Sequence, residues 1–444
     1  MYRSNTSPLF SPVLVALAAL PCAHFSTAAT ADDLAASVSA DYPRLEALFQ
    51  HFHTNPELSM QEFQTSDRIA AELEAEGYEL TRGIAKTGLV GILRNGKGPV
   101  VMIRADMDAL PVQEKTGLAY ASRVRQVNLD GVEMPVMHAC GHDMHVTTLI
   151  GVARQLKARQ SDWRGTVMLL AQPAEENLDG ASSMVADNLY GRVGRPDYAL
   201  ALHVLSKYPA GKIAFSEGTM FSGADTVSIK VHGIATHGAA PHLGRDPIVI
   251  ASQIVLALQT IVTREISPLE PAIITVGSFH SGTAPNVISD NALLAITVRS
   301  NSEPTRELLL KSIERVAINT ARAAGLPEDQ MPEVRVAPHG SPVTVNDPGL
   351  ARRLRAAMEA KLPATAFVEW KQTDMGAEDF PYLVSVSPPI PSVYFVVGGT
   401  PQPDLDAGNW AGHHSPLFRI DPEPSIKGGV EAMTIAALEL LGRP

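Results

Sequence analysis

Apolar residues recur with two different periods along the first half of the chain. Three segments repeat them at the spacing of a helix face, whereas four shorter apolar runs are bounded by glycine, proline or polar residues in the manner of strands. The predicted helices span residues 34–53, 61–76 and 145–160, and the predicted strands span 88–93, 99–104, 166–171 and 197–202. Strands that alternate with helices predict an α/β fold with a mostly parallel sheet covered by helices on both faces.

Beyond residue 224 the order of predicted elements changes to strand, helix, strand, strand, helix, which is typical of a small α/β domain with antiparallel strands. These elements span residues 226–231, 247–265, 272–279, 286–298 and 305–324, with a further strand predicted at 333–337. The first pattern then returns, with helices at 349–360 and 425–441 around a strand at 392–397. The 444 residues exceed what one core usually holds. We therefore expect a smaller domain, residues 221–337, inserted into a larger one formed by residues 34–220 and 338–444.

The first residues have the pattern of a cleaved secretory signal, residues 1–31. Arg3 precedes an apolar run at 13–20, and small residues at 26–31 precede two aspartates. We expect the mature chain to begin between residues 24 and 34 and to be periplasmic or secreted. The apolar run is too short to span a bilayer, and we expect no later stretch to be long and apolar enough to do so.

The net charge limits the classes of partner that the chain can bind, and the cysteine content bears on metal binding. The formal net charge of −11 argues against nucleic acid or an anionic membrane surface, because both require a basic face. The chain has two cysteines, Cys22 and Cys140, and the first would leave with the signal. A lone thiol in an oxidising compartment is a liability unless it is protected, and metal coordination is one such protection.

The strongest candidate for chemistry is the stretch Met-His-Ala-Cys-Gly-His-Asp-Met-His at residues 137–145. Thiolate and imidazole are ligands of zinc and its neighbours, and the glycine between Cys140 and His142 lets both side chains reach one ion without backbone strain. The alternative is a helix start on which His138, His142 and His145 share one face.

Carboxylates and further histidines follow the predicted strands. Glu175 and Glu176 come after the strand at 166–171, where adjacent like charges in a partly dry site repel unless a cation is present. A solvated turn is the alternative. His203 ends the strand at 197–202, although a single histidine is more often structural. The full set, which is large enough for two metal ions that share a bridging ligand, is Cys140, His142, Glu176, His203 and one of His413 and His414.

Six motifs, in order over nearly all of the mature chain, resemble those of the aminoacylase and carboxypeptidase family of two-metal peptidases. The resemblance is specifically to its amidohydrolase branch, which includes hippurate hydrolases and plant hydrolases of auxin-amino acid conjugates. The motifs are RADMDALP at 104–111, MHACGHDMH at 137–145, QPAEE at 172–176, HGAAPH at 237–242, MGAEDF at 375–380 and HHSPLF at 413–418.

The resemblance implies roles for individual residues. Two divalent ions, zinc or manganese with cobalt and nickel as further candidates, would be bound by Cys140, His142, Glu176, His203 and His414. Glu175 would be the general base, and the inserted domain would form a homodimer and contribute His237 and Asn286 to substrate binding. Arg104 stands where other branches of the family carry a metal-binding histidine, which indicates the thiolate-using branch.

The leading functional hypothesis is metal-dependent hydrolysis of N-acyl amino acids at the amide bond. A di- or carboxypeptidase that acts on short peptides by the same mechanism is one alternative, and a non-catalytic periplasmic protein that binds metal or ligand is another. In the hydrolase, Asp106 would orient a metal ligand. Asn286 would bind the substrate carboxylate, and Arg299 would either share that task or form a structural salt bridge.

Overall fold

The computed structural model describes residues 1, 2, 5 and 31–443, so nearly all of the predicted signal sequence lies outside the described residues. The first part of the chain alternates helices and strands as the apolar pattern predicts. Its elements are α1 Ala31–Thr54, α2 Phe63–Ala75, β1 Glu79–Ile84, β2 Gly88–Asn95, β3 Val100–Asp106, β4 Arg125–Val127, β5 Glu133–Pro135, α3 His142–Ala158, β6 Gly165–Gln172, α4 Gly180–Ala186, α5 Leu189–Val193, β7 Tyr198–Pro209, β8 Ile213–Ala214 and β9 Thr219–Phe221.

The remaining elements form two groups. The middle group is β10 Gly223–His232, β11 Thr236–His237, α6 Pro247–Thr260, β12 Ala272–Ser281, β13 Val287–Ile288, β14 Asn291–Ser300, α7 Glu303–Ala323 and β15 Glu333–Ser341. The C-terminal group is β16 Thr344–Val345, α8 Pro348–Glu359, α9 Pro381–Val384, β17 Ser392–Thr400, α10 Gln402–Asp406 and α11 Pro422–Leu440.

The larger sheet has seven strands in the order β1-β2-β6-β3-β7-β17-β8. Its four central strands, β6, β3, β7 and β17, are mutually parallel, and the strands at both edges are antiparallel to their neighbours. The predicted α/β class with a mostly parallel central sheet is confirmed. The neighbours β7 and β17 come from opposite sides of the middle group, so both parts of the chain build this sheet.

Alternate residues of the central strands enter two different cores, as the period of a strand requires. On β3, Val101, Ile103 and Ala105 pack on the side of α1, α3 and α11, whereas Met102 packs on the opposite side. Burial on both faces explains why these strands are almost continuous apolar runs.

The smaller sheet has the order β12-β14-β10-β15 and is antiparallel throughout. The core formed by α6, α7 and this sheet covers one of its faces. The predicted strand at 286–298 is two separate strands, β13 and β14, because the extended conformation is interrupted between Ile288 and Asn291. All four strands lie between Gly223 and Ser341, within the middle group of elements.

The segment Pro247–Glu265 corrects one expectation. It is 19 residues long with a mean hydropathy of 1.5, so by length and composition it could cross a membrane, and 33% of it is buried in the protein. Part of its apolar content belongs to the small-domain core, because Ile250, Ile254 and Leu258 are buried there at helical spacing. Its other side includes the exposed residues Val249 and Leu256.

Candidate metal centre

The carboxyl ends of β3 and β6 meet the beginning of α3 beside the middle of β7, and the predicted metal ligands lie there. Helix α3 begins at His142, three residues before its predicted start, so His142 lies in its first turn. Strand β7 runs on to Pro209, so His203 lies within the strand and does not end it. Ligands thus approach from several segments, as expected where the loops of a parallel sheet converge.

The five predicted ligands form two trios that share one residue. Cys140, His142 and His203 form the first trio, and Cys140, Glu176 and His414 form the second; within each trio the ligand atoms lie within 4.8 Å of one another. Ligands of one zinc ion lie about 2.0–2.3 Å from it, which allows ligand atoms to be up to about 4.6 Å apart. The two trios are therefore candidate sites for two ions, and Cys140 would serve both.

Hydrogen bonds fix the tautomers of the two buried histidines. His142 Nδ1 donates to the carbonyl oxygen of Asp108 at 2.9 Å, and His203 Nδ1 donates to the carbonyl oxygen of Val204 at 2.7 Å. Each Nε2 atom therefore faces the other candidate ligands, and within the described part of the chain the buried His142 Nε2 has no hydrogen-bond partner. Metal-binding histidines are oriented in this way, by a partner on the second ring nitrogen.

Gly141 makes the close approach of these ligands feasible, as predicted. Its φ of +89° lies in the left-handed region, and a Cβ atom there would come within 2.3 Å of Val204 Cγ1. A larger residue between Cys140 and His142 would therefore displace either β7 or the start of α3.

The electrostatics of the site favour a bound cation. Burial, followed by the nearby charges of Glu176 and Glu175, raises the pKa of the Cys140 thiol well above its ordinary value. Burial and the charge of Glu378 likewise raise the pKa of Glu175. One oxygen of Glu176, Oε1, is buried without a hydrogen-bond partner in the described residues. A divalent cation would satisfy these groups and ionise the thiol.

His145 and His138 are not additional ligands of the two trios. His145 Nε2 accepts a hydrogen bond from the backbone nitrogen of Val204 at 2.8 Å, so its Nδ1 donates to Asp106 Oδ1 at 2.5 Å. Asp106 therefore pairs with His145, and the predicted task of orienting a ligand falls to Asp108. His138 precedes α3, which excludes the alternative in which all three histidines lie on one helix face.

The two histidines near the C-terminus have different environments. His414 has a φ of 64°, is half exposed, and places Nε2 3.2 Å from Glu176 Oε2. His413 is half-buried; its Nε2 accepts from the backbone nitrogen of Ser206 at 3.3 Å, so Nδ1 donates towards Cys140 Sγ at 3.5 Å. Burial, followed by the neighbouring His414, lowers the pKa of His413 to about 3. The choice of His414 as the ligand agrees with this geometry.

A buried ionic network behind the trios was not predicted. Arg104 is fully buried and donates to Asp106 Oδ2 at 2.6 Å and to Glu378 Oε1 at 2.8 Å, and it lies 3.2 Å from Asp379. The available signal was the pair of acidic residues in the motif at 375–380. Arg104 thus neutralises carboxylates beside the site.

The trios open into a cavity of about 1080 Å³. Its walls include Tyr208, Phe221, Trp370 and Trp410, together with Arg299 from β14. The cavity therefore joins the candidate metal site of the large sheet to one face of the small sheet, and it has the size of a small-molecule site.

The two predicted substrate-binding residues do not line this cavity. His237 is exposed on β11, and the backbone nitrogen of the next residue, Gly238, donates to the carbonyl oxygen of Asn286 at 2.8 Å. His237 and Asn286 therefore lie close to each other but apart from the metal trios of the same chain.

Fold and site together define a metal-dependent hydrolase of amide bonds, with ligands for metal at the carboxyl edge of a parallel sheet. The family model described as peptidase family M20/M25/M40 matches residues 102–439, and the chain belongs to that family.

Three known proteins illustrate this relationship. The chain is 34% identical over 393 residues to the N-acetyl-L-cysteine deacetylase of Bacillus subtilis, covering 86% of this chain and 85% of that protein. It is 38% identical over 279 residues to the hippurate hydrolase of Campylobacter jejuni, covering 63% and 70%. The Bacillus subtilis YXEP protein, described as a dinuclear metal binding peptidase, has a similar structure, with a TM-score of 0.73, 29% identity and coverage of 90% and 98%.

Proposed function

We propose that the chain hydrolyses the amide bond of N-acyl amino acids and releases a carboxylic acid and an amino acid. The observation that carries this proposal is the pair of trios that share Cys140 beside Glu175, at the bottom of a cavity that also contains Arg299. Two relatives of the chain are named for reactions of this kind, on hippurate and on N-acetyl-L-cysteine.

We propose that one divalent ion binds Cys140, His142 and His203, and a second binds Cys140, Glu176 and His414. Bound there, the ions would polarise the amide carbonyl and acidify a water molecule. Zinc and manganese are the first candidates, and cobalt and nickel are further ones. Soft thiolate and imidazole ligands suit zinc, whereas the carboxylate also suits manganese.

Glu175 is the proposed general base. Its carboxylate lies in a group with His142 and Glu176 whose ligand atoms are within 4.8 Å of one another, so it is adjacent to both trios. It would take the proton of the attacking water and return it to the nitrogen of the departing amine.

Arg299 is the proposed partner of the substrate carboxylate. It lines the cavity, and its one hydrogen bond among the described residues joins Nε to Thr297 Oγ1 at 3.3 Å. The alternative role for Arg299 is a structural salt bridge, but Arg299 forms no salt bridge in the described part of the chain. Arg299→Ala should therefore raise KM for an N-acyl amino acid about tenfold or more and leave the corresponding N-acyl amino acid amide much less affected. Equal effects on both substrates would contradict this role.

We also propose that the inserted domain, residues 221–337, forms a homodimer that brings His237 and Asn286 to the cavity of the partner. The exposed apolar side of α6 supports an interface there, because Val249 is 52% and Leu256 72% exposed. Sedimentation equilibrium of the purified protein tests this: Leu256→Glu should shift a dimer towards monomer.

We also propose that the protein is exported. This proposal rests on the pattern of residues 1–31, and N-terminal sequencing of the natively produced protein tests it.

Two adjacent glutamates provide the decisive experiment for the hydrolase. Glu175→Gln should keep bound metal and lose about two to four orders of magnitude in turnover, because it removes the proton acceptor but preserves size. Glu176→Gln removes a charge from the second trio and should lower metal content as well. Metal analysis and turnover of hippurate measure both effects. Loss of metal only in Glu175→Gln would reverse the two roles, and unchanged values in both variants would refute the site.

The peptidase alternative uses the same site, so substrate comparison separates the two. With added zinc or manganese, the enzyme should cleave hippurate and N-acetyl-L-cysteine faster than unacylated dipeptides. Faster cleavage of dipeptides would favour the peptidase. Metal binding without turnover of any of these substrates would favour a non-catalytic binding protein.

A further inference from the structure

Glu62 is a buried carboxylate that has no role in the proposed metal site or mechanism. It lies in the loop between α1 and α2, is fully buried, and accepts three hydrogen bonds. The backbone nitrogens of Met60 and Ala174 each donate to Oε1 at 2.9 Å, and Thr87 Oγ1 donates to Oε2 at 2.6 Å. Burial of a carboxylate is unfavourable, and the charge of Asp108 adds to the cost, so hydrogen bonds alone hold this group in place.

The bond to Ala174 matters because Ala174 directly precedes the proposed base. Glu175 begins a single 3-10 turn, Glu175–Asn177, that lies between two non-glycine residues in the left-handed region, Ala174 with a φ of 50° and Leu178 with a φ of 53°. Such residues persist where surrounding structure holds them. Glu62 fixes the start of this turn from a segment more than a hundred residues earlier in the chain.

The side chain of Glu175 makes no hydrogen bond of its own to the described residues, and its Oε2 lies 3.9 Å from His142 Nε2. Its aim is therefore set by the backbone at residues 174 and 175. Its neighbour is held separately, because the backbone nitrogen of Glu176 donates to Asp108 Oδ2 at 3.1 Å. Each of the two adjacent glutamates is thus supported by a different remote carboxylate.

We propose that Glu62 is a positioning residue for catalysis: it holds the backbone of Ala174 and thereby aims the Glu175 carboxylate at the reacting water. The inference rests on the proposed role of Glu175 as the base. An error of about 1 Å in the position of a catalytic group can lower the rate about 100-fold. Loss of Glu62 should therefore lower kcat while the substrate and the metal ions still bind.

Glu57 provides a matched control in the same loop. It is also a buried carboxylate, and it accepts from the backbone nitrogens of Gln64 at 3.1 Å and Thr65 at 2.8 Å, in the first turn of α2. It has the same chemistry and a similar position, but its side chain supports a helix start and not the turn that carries the base. Removal of Glu57 should reduce stability without a comparable effect on kcat.

The experiment compares kcat, KM, bound metal and melting temperature of the full chain and its variants, with hippurate as substrate. Glu62→Ala should lower kcat about 10- to 100-fold, with KM and bound metal nearly unchanged. Glu62→Gln keeps an acceptor for Ala174 and should restore most of kcat. Glu57→Ala should keep kcat within about twofold. Wild-type kcat in Glu62→Ala would overturn the proposal, as would equal losses of kcat in the Glu57 and Glu62 variants.

Two further variants keep the result interpretable. If Glu62→Ala does not fold, Thr87→Val removes one donor to the carboxylate and should lower kcat several-fold, with metal retained; an unchanged kcat would overturn the proposal. Glu175→Gln is the reference for the proposed function. If Glu175→Gln keeps full turnover, the proposal that Glu175 is the base is wrong. If Glu175→Gln loses turnover while Glu62→Ala does not, only the proposal for Glu62 is wrong.

Discussion

His53 should make the stability of the large domain depend on pH. Its ring is buried between two carboxylates, with Nδ1 2.7 Å from Asp143 Oδ2 and Nε2 3.2 Å from Glu114 Oε1. Burial lowers the pKa of His53, but the hydrogen bonds to Asp143 and then to Glu114 outweigh burial and raise it to about 9. The ring is therefore an imidazolium at neutral pH, and it fixes Asp143 in the first turn of α3, next to His142.

The magnitude follows from linkage between protonation and folding. The pKa of His53 is about 9 when folded and is expected near 6.5 when unfolded. Because protonation is favoured in the folded state, its stabilisation is fully present below pH 6.5 and is lost as the pH rises through 9. Each unit of pKa corresponds to about 1.4 kcal/mol, so about 3 kcal/mol is at stake.

The assay is urea unfolding of metal-free wild type and His53→Gln, at pH 6 and at pH 10. The free energy of unfolding should be higher for wild type at pH 6, and this advantage should shrink by about 3 kcal/mol at pH 10. His51→Gln is the matched control, because His51 is exposed on the same helix and its replacement should change stability by less than about 0.5 kcal/mol. An advantage of equal size at both pH values would refute the reasoning.

Three further predictions concern the metal centre. Cys140→Ser should reduce bound metal to below one ion per chain because Cys140 belongs to both trios, whereas His414→Ala should cost one ion; equal losses by metal analysis would contradict the shared ligand. Arg104→Met leaves Glu378 and Asp379 without their cation, and its free energy of unfolding should fall by about 3–5 kcal/mol in chemical denaturation; an unchanged value would contradict the network. Metal removal should lower the melting temperature, since an ion at about 100 times its Kd adds about 2.7 kcal/mol of stability; no shift would argue against either site.

The strands that are buried on both faces could be predicted from the sequence, whereas strands with exposed residues were harder to predict. The central strands are buried on both faces, so β3 and β6 appear in the sequence as unbroken apolar runs. Strand β1 was missed because it is an edge strand with mostly exposed or half-buried residues. The end of β7 was missed because Ser206, Lys207 and Tyr208 are polar or amphipathic and line the cavity while their backbone continues the strand.

The candidate site divides in a similar way. Its candidate ligands could be proposed from the sequence because cysteine, histidine and glutamate near strand ends have the chemistry that a metal requires. The partners that orient His142 and His203 are backbone carbonyl oxygens, which no pattern of side chains reveals. Arg104 and Glu378 meet across 274 residues of sequence, so their pairing depends on the tertiary fold and not on local spacing.

The order of the large sheet has a consequence for how the chain acquires its structure during synthesis. Strand β17 separates β7 from β8, so the backbone groups of β7 on that side stay unpaired until the ribosome has passed Ser392. The waiting edge is apolar over Ala199–Leu202 and is therefore a template for aggregation. His414 emerges later still, so a nascent chain contains Cys140 and Glu176 long before it can complete the second trio. The topology therefore delays the pairing of a central strand until more than 180 residues after it have been made.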